Sequence, residues 1–85
     1  MVSRKLTVNI KQGLNILPAR VIAKTAEGCI SRIEILHENS IINARSLLNI
    51  LSATIACGDE IVIRCEGPDE DAAMAKMLNV IDSLE

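Results

Sequence analysis

The sequence predicts an α+β fold, a two-layer open-faced sandwich with a four-stranded antiparallel sheet and three helices on one face. Three observations predict it. Four short stretches alternate apolar and polar residues with period 2. Three longer stretches carry an apolar face at helical spacing, with helix start or stop residues at their ends. Strands with only one apolar side suit an antiparallel sheet covered on one face and solvated on the other. The order is β-α-β-β-α-β-α, and residues 1–85 are expected to form a single domain.

Taken in order, Leu6, Val8 and Ile10 alternate with Lys5, Thr7, Asn9 and Lys11, and Gln12-Gly13 ends this first strand. Pro18 marks the start of a helix carrying Ile22, Ala23 and Ala26, and Gly28 is placed to close it in the left-handed conformation. Ile33 and Ile35 alternate with Arg32 and Glu34. His37-Glu38-Asn39-Ser40 is a polar turn into Ile41-Ile42-Asn43, so the two runs form a hairpin. Ser46 caps a second helix of Leu47, Leu48, Ile50, Leu51 and Ile55 that Gly58 ends. Ile61 and Ile63 alternate with Val62 and Arg64 up to Gly67-Pro68. Asp69, Glu70 and Asp71 then crowd the start of the last helix, where negative charge suits the dipole, and Ala73, Met74, Met77, Leu78, Ile81 and Leu84 line one face.

Composition narrows the function. A chain of 85 residues buries only roughly 60–65% of its unfolded surface, which leaves little core for an active-site cleft. Net charge is −2 and Phe, Tyr and Trp are absent, so the basic field and stacking platforms of nucleic-acid binders are missing. No apolar run approaches a membrane span, and Met1-Val2-Ser3-Arg4-Lys5 lacks the apolar stretch of a secretory signal, so a cytoplasmic location is expected. Cys29, Cys57 and Cys65 are widely spaced and His37 is the lone histidine, which gives no zinc framework; no metal or cofactor is expected. His37 reads as a strand-end or turn residue.

The second helix is unusually apolar. Its five large aliphatics span roughly 160° at 100° per residue, wider than one buried stripe needs. Either part of that arc is a docking face, or the helix is wedged deeply or buried by self-association. Together, Gly13-Leu14-Asn15-Ile16-Leu17-Pro18-Ala19, Asn43-Ala44-Arg45-Ser46-Leu47-Leu48 and Glu66-Gly67-Pro68-Asp69-Glu70 resemble the HPr family, the small phosphocarriers of the bacterial sugar phosphotransferase system. The likeness runs along essentially the whole chain.

Carriers of that family read Gly-Leu-His-x-Arg-Pro-Ala, with the histidine taking the phosphoryl group and the arginine steadying its charge. Here Asn15 and Leu17 stand in those places. A carboxamide nitrogen has its lone pair delocalised into the carbonyl, so it is no nucleophile. Asn15 is expected instead to cap the helix, its oxygen accepting from the Leu17 N–H. Ser46 falls on the family's regulatory serine. The resemblance implies phosphorylation there by a serine kinase/phosphorylase, with Arg45 and the helix start beside the phosphate.

The chain is most similar to the histidine-less, catabolite-repression branch of the family, which implies a regulator and not an enzyme. The implied partner is a LacI-type transcriptional regulator or a metabolic enzyme. The implied docking surface is Ile16, Leu17, Arg20, Val21 and Lys24 with Arg45, Ser46, Leu47, Leu48 and Leu51. Two alternatives stand beside it: a divergent phosphocarrier using His37, and a constitutive module that homodimerises through its apolar patch.

Overall fold

The two central strands of the sheet are the hydrophobic floor on which everything else is laid. The computed structural model describes residues 1–85. Its elements are β1 (Val2–Thr7), α1 (Ile16–Glu27), β2 (Arg32–His37), β3 (Ser40–Asn43), α2 (Leu47–Ser52), β4 (Glu60–Glu66) and α3 (Glu70–Leu84). The strands lie in the order β1-β4-β2-β3 and every neighbouring pair is antiparallel. In β2 and β4 the alternation is clean. Ile33 and Ile35, with Ile61, Ile63 and Cys65, are buried, while Glu34, Leu36, Val62 and Arg64 between them are only half-buried. The three helices cover the isoleucine face through Ile22 and Ala26 of α1, Ile50 of α2 and Ala73, Met77 and Ile81 of α3. The expected architecture is therefore the observed one. No helix is long and apolar enough to cross a membrane.

Four local expectations differ from the structure, each for a physical reason. The first strand begins earlier, at Val2, and its ladder with β4 ends at Thr7. Val8 and Ile10 are buried beyond it, and Val8 is tied to the next turn by Val8 N–H to Asp59 O (2.8 Å) and Gly58 N–H to Val8 O (2.7 Å). The period-2 pattern thus outlasts the strand. Helix α1 starts at Ile16, two residues before Pro18, which a proline tolerates because amides of the first turn have no intrahelical partner.

Gly28 closes α1 with φ −77°, in the right-handed region, and not left-handed as expected. Helix α2 stops at Ser52, and the chain turns at Thr54 (φ +54°), well before Gly58. Ile55 is buried but lies outside the helix, so the apolar arc belongs to a helix of six residues and the loop after it.

Asp69 does more than complement a helix dipole. Its carboxylate accepts hydrogen bonds from Ile30 N–H (3.0 Å), Ser31 N–H (2.8 Å) and the Ser31 hydroxyl, pinning the loop after α1 to the start of α3. Gly67 is needed beside it, because at φ +154° a Cβ would lie 2.6 Å from Ser31 Oγ. The Ser31 hydroxyl, followed by the Ile30 amide, holds the Asp69 carboxyl down from 3.8 to about 2. A depressed carboxyl stabilises the fold fully above its unfolded value and loses that contribution as pH falls through the folded value. Asp69→Asn is therefore expected to melt several degrees lower than the parent at neutral pH. In thermal melts taken across an acid series, the gap should close between about pH 4 and pH 2. A gap that persists unchanged at pH 2 would contradict this role.

Candidate functional site

Gly13 to Asn15 form a tight entry into α1. Gly13 adopts φ +71°, and a Cβ there would lie 2.6 Å from the Ile55 carbonyl oxygen, so only glycine fits. Leu14 N–H donates to that same oxygen at 2.9 Å, fastening the entry to the loop that follows α2. Asn15 occupies the N-cap with extended backbone, and its carbonyl accepts from Ala19 N–H at 3.0 Å. Its side chain, however, makes no capping bond, which corrects the expected link to the Leu17 amide. The Asn15 carboxamide is exposed and unengaged by any neighbour.

The exposed residues around this entry are mostly aliphatic. Ile16, Leu17 and Val21 are 52%, 64% and 40% exposed, and Leu48 on α2 is 75% exposed. Helices α1 and α2 pack against one another, so these side chains stand on one side of the molecule. Arg20 and Lys24 are exposed on α1 and take part in no ion pair. Leu47 and Leu51 are half-buried against the core, and Ile50 and Ile55 are fully inside. Of the apolar arc, Leu48 alone projects fully, so most of α2 is wedged and its tip is free.

Ser46 caps α2, its Oγ accepting from Asn49 N–H at 3.1 Å, and it is half-buried. Arg45 requires a correction. Its guanidinium turns away from Ser46 and donates to the carbonyls of Ala26 (3.2 Å), Cys29, Ile30 (3.4 Å) and Ser31 (3.2 Å). Those carbonyls belong to the end of α1 and the loop after it, so Arg45 ties off a helix C-terminus and offers no free cation to the expected docking surface. No spacing pattern signals this, since the acceptors lie 14 to 19 residues upstream.

His37 ends β2 and is buried, with Nε2 3.0 Å from Asp59 Oδ2. That carboxylate also accepts from Ala56 N–H at 2.9 Å. The amide first, then the imidazole, lowers the Asp59 pKa. A ring that is 5% exposed with this nitrogen engaged is in no position to exchange phosphoryl groups with another protein. Cys29 and Cys65 are buried, Cys57 is exposed, and all three are free thiols. Burial chiefly pushes the Cys65 thiol up, away from reactive thiolate. No group of three or more His, Cys, Asp or Glu side chains is placed to hold a metal ion.

Comparison with known proteins gives one consistent result. Residues 2–83 match the family model described as PTS HPr component phosphorylation site. The chain is 32% identical over 82 residues to HPr-like protein Crh of Halalkalibacterium halodurans, covering 96% of this chain and 98% of that one. Its fold superposes on HPr-C-His of Thermoanaerobacter tengcongensis with TM-score 0.94 at 28% identity, over 99% and 94% of the two chains. It also superposes on Crh, the catabolite repression protein of Bacillus subtilis, seen as a domain-swapped dimer (TM-score 0.77, 26% identity, 99% and 97% covered).

Proposed function

This chain belongs to the HPr family of the phosphotransferase system, and we propose that within it the chain is a regulatory docking protein that carries no phosphoryl group. The observation that carries this is the pair Asn15 and Leu17 at the entry to α1, where the family's carriers have histidine and arginine. The scaffold of that entry is intact, with Gly13 packed close against the Ile55 carbonyl and Leu14 bonded to it, while the nucleophile and the cation are gone. Phosphocarrier and HPr-like relatives of this kind act as carriers and regulators, not as enzymes.

What remains is a surface of Ile16, Leu17, Val21 and Leu48 with Arg20 and Lys24 beside it, joined by the half-buried Leu47 and Leu51. Burying such side chains against a partner contributes roughly 1.5–3 kcal/mol each before ordering costs. Residues 1–85 act as one HPr-like domain in the cytoplasm, and Ser46 is the regulatory site, modified by a serine kinase/phosphorylase. Since Arg45 is engaged on carbonyls and α2 is only six residues long, the chain neutralises a Ser46 phosphate weakly. The charge is left for the partner, a LacI-type regulator or a metabolic enzyme of carbon catabolite control.

The test is incubation with a bacterial serine kinase of HPr and ATP, followed by mass measurement. One phosphate per chain is expected, absent in Ser46→Ala; no mass gain in the parent protein removes the switch. Constitutive self-association through the same leucines is the second function the structure favours. It is supported by the free Leu48; the Bacillus relative's dimer forms by swapping a domain and shows only that an HPr-like chain can pair.

A further inference from the structure

The face of the sheet turned away from the helices carries its charges in an ordered pattern. Three ion pairs run across the strands: Lys5–Glu60 (3.6 Å), Arg32–Glu66 (2.8 Å) and Arg64–Glu34 (2.6 Å). Each joins neighbouring strands, and Glu38, beside Glu60 at the edge of this face, is left without an ion-pair partner. In the middle, the cross-strand register sets Val62 of β4 beside Leu36 of β2, and Leu36 beside Ile41 of β3. Val62 and Leu36 are half-buried, and Ile41 is 63% exposed.

We propose that this open sheet face is a self-docking surface on which a second copy of the chain packs face to face. The charge pattern fits a second copy, and the charges together with the Leu36–Val62 pair fix its orientation. Glu34 and Arg64 are cross-strand partners, as are Arg32 and Glu66 and also Leu36 and Val62. A two-fold axis lying in the interface parallel to the strands, between β2 and β4, exchanges the two columns. It sets Arg64 over Glu34 of the second copy, Arg32 over Glu66 of the second copy, and Val62 over Leu36 of the second copy. Each reciprocal contact occurs twice, as an isologous interface requires. An axis perpendicular to the strands through the Glu34–Arg64 row would instead stack Arg64 on Arg64 and Glu34 on Glu34. An axis midway between the Arg32–Glu66 and Glu34–Arg64 rows would also oppose unlike charges, but it parts Val62 from Leu36. The parallel axis alone joins charge pairing to the apolar contact. The modest rotation between packed sheets displaces the corners more than these central columns.

Size sets the strength. Four strands about 4.8 Å apart and roughly 20 Å long present roughly 400 Å² of face, about half the ~800 Å² per partner of a standard interface. The dimer is a weak one, with a dissociation constant on the order of 0.1–1 mM. The docking surface of α1 and α2 lies in the other layer of the sandwich, and this inference does not depend on the function proposed for it.

The test is sedimentation equilibrium of the full chain from micromolar to millimolar concentration, with amide NMR shifts followed on dilution. The mass should rise from 9.2 kDa toward twice that value, with shifts concentrated at Leu36, Val62 and Arg64. Leu36→Lys should raise the dissociation constant at least about tenfold. The double variant Glu34→Arg/Arg64→Glu keeps its pair within the chain and should self-associate like the parent. Its mixed dimer with the parent should be at least about fivefold weaker, because like charges then face each other. A monomer at millimolar concentration overturns the proposal. So does a mixed dimer as strong as the parent's, or an association that Leu48→Asp abolishes while Leu36→Lys leaves it intact. The dilution shifts use the unaltered protein, so a variant that fails to fold does not block the test.

Discussion

Asn15→His combined with Leu17→Arg is expected to convert a chain that accepts no phosphoryl group into one labelled close to one per molecule by phosphoenolpyruvate and the system's first enzyme. The parent should give no acid-labile phosphate, and the double variant at least about 100-fold more than the parent's background. The proposed basis is that a carrier's backbone persists here without its chemistry. Gly13 holds the tight turn that only glycine allows, Leu14 is bonded to Ile55, and the first turn of α1 keeps no side-chain acceptor for its amides. An imidazole at residue 15 supplies a nitrogen lone pair that the carboxamide lacks. An arginine at residue 17 supplies the planar cation that holds a phosphate.

Because the Asn15 side chain makes no capping bond and Leu17 is largely exposed, both changes should alter stability by less than about 0.5 kcal/mol. Asn15→His alone should label more slowly than the pair. The proposal fails if the parent is labelled and passes the phosphate on. The persistence of the carrier backbone is refuted if the folded double variant stays unlabelled.

Arg45→Met should cost the fold about 2–4 kcal/mol, a fall in melting temperature of roughly 10–20 °C. The substitution keeps an apolar stem and removes the donors to the carbonyls of Ala26, Cys29, Ile30 and Ser31. Hydrogen bonds from a charged group are worth more than neutral ones, and several acceptors at the end of α1 lose their partner together. Arg45→Lys should recover only part of the loss, since an ammonium is a point donor where the guanidinium is a fork. Thermal melts of the three proteins decide the matter. If Arg45 served only as a phosphate ligand, Arg45→Met would leave the unmodified protein's melting temperature unchanged, and that result would refute the structural role.

Both predictions concern residues whose type was visible in the chain but whose partners were not. Asn15 and Leu17 declare their chemistry by identity, because no geometry turns a carboxamide into a nucleophile or a leucine into a cation. Whether the Asn15 side chain also capped its helix depended on its rotamer, and the structure leaves it free. Arg45 and Asp69 were legible only as charges near helix starts. Their acceptors and donors come from the Ala26–Ser31 region, brought to them by the packing of α1 beside the sheet and α3. His37 reads from the sequence as a strand-end or turn residue and ends β2, yet its contact with Asp59 joins positions 22 residues apart.

Legible in the chain alone were the element order, the one-sided burial of β2, β4 and α3, and the carboxamide and leucine at residues 15 and 17. These follow from period, capping residues and functional groups, all of which act over a few neighbouring positions. The packed fold set the end of α2 at Ser52 and not at Gly58. It alone showed that Leu48 projects while Ile50 and Ile55 are wedged inside, and that the Arg45 guanidinium serves backbone carbonyls. Those outcomes depend on which surfaces remain after the sheet and helices close on each other, and on hydrogen-bond partners that the chain meets only once it is folded.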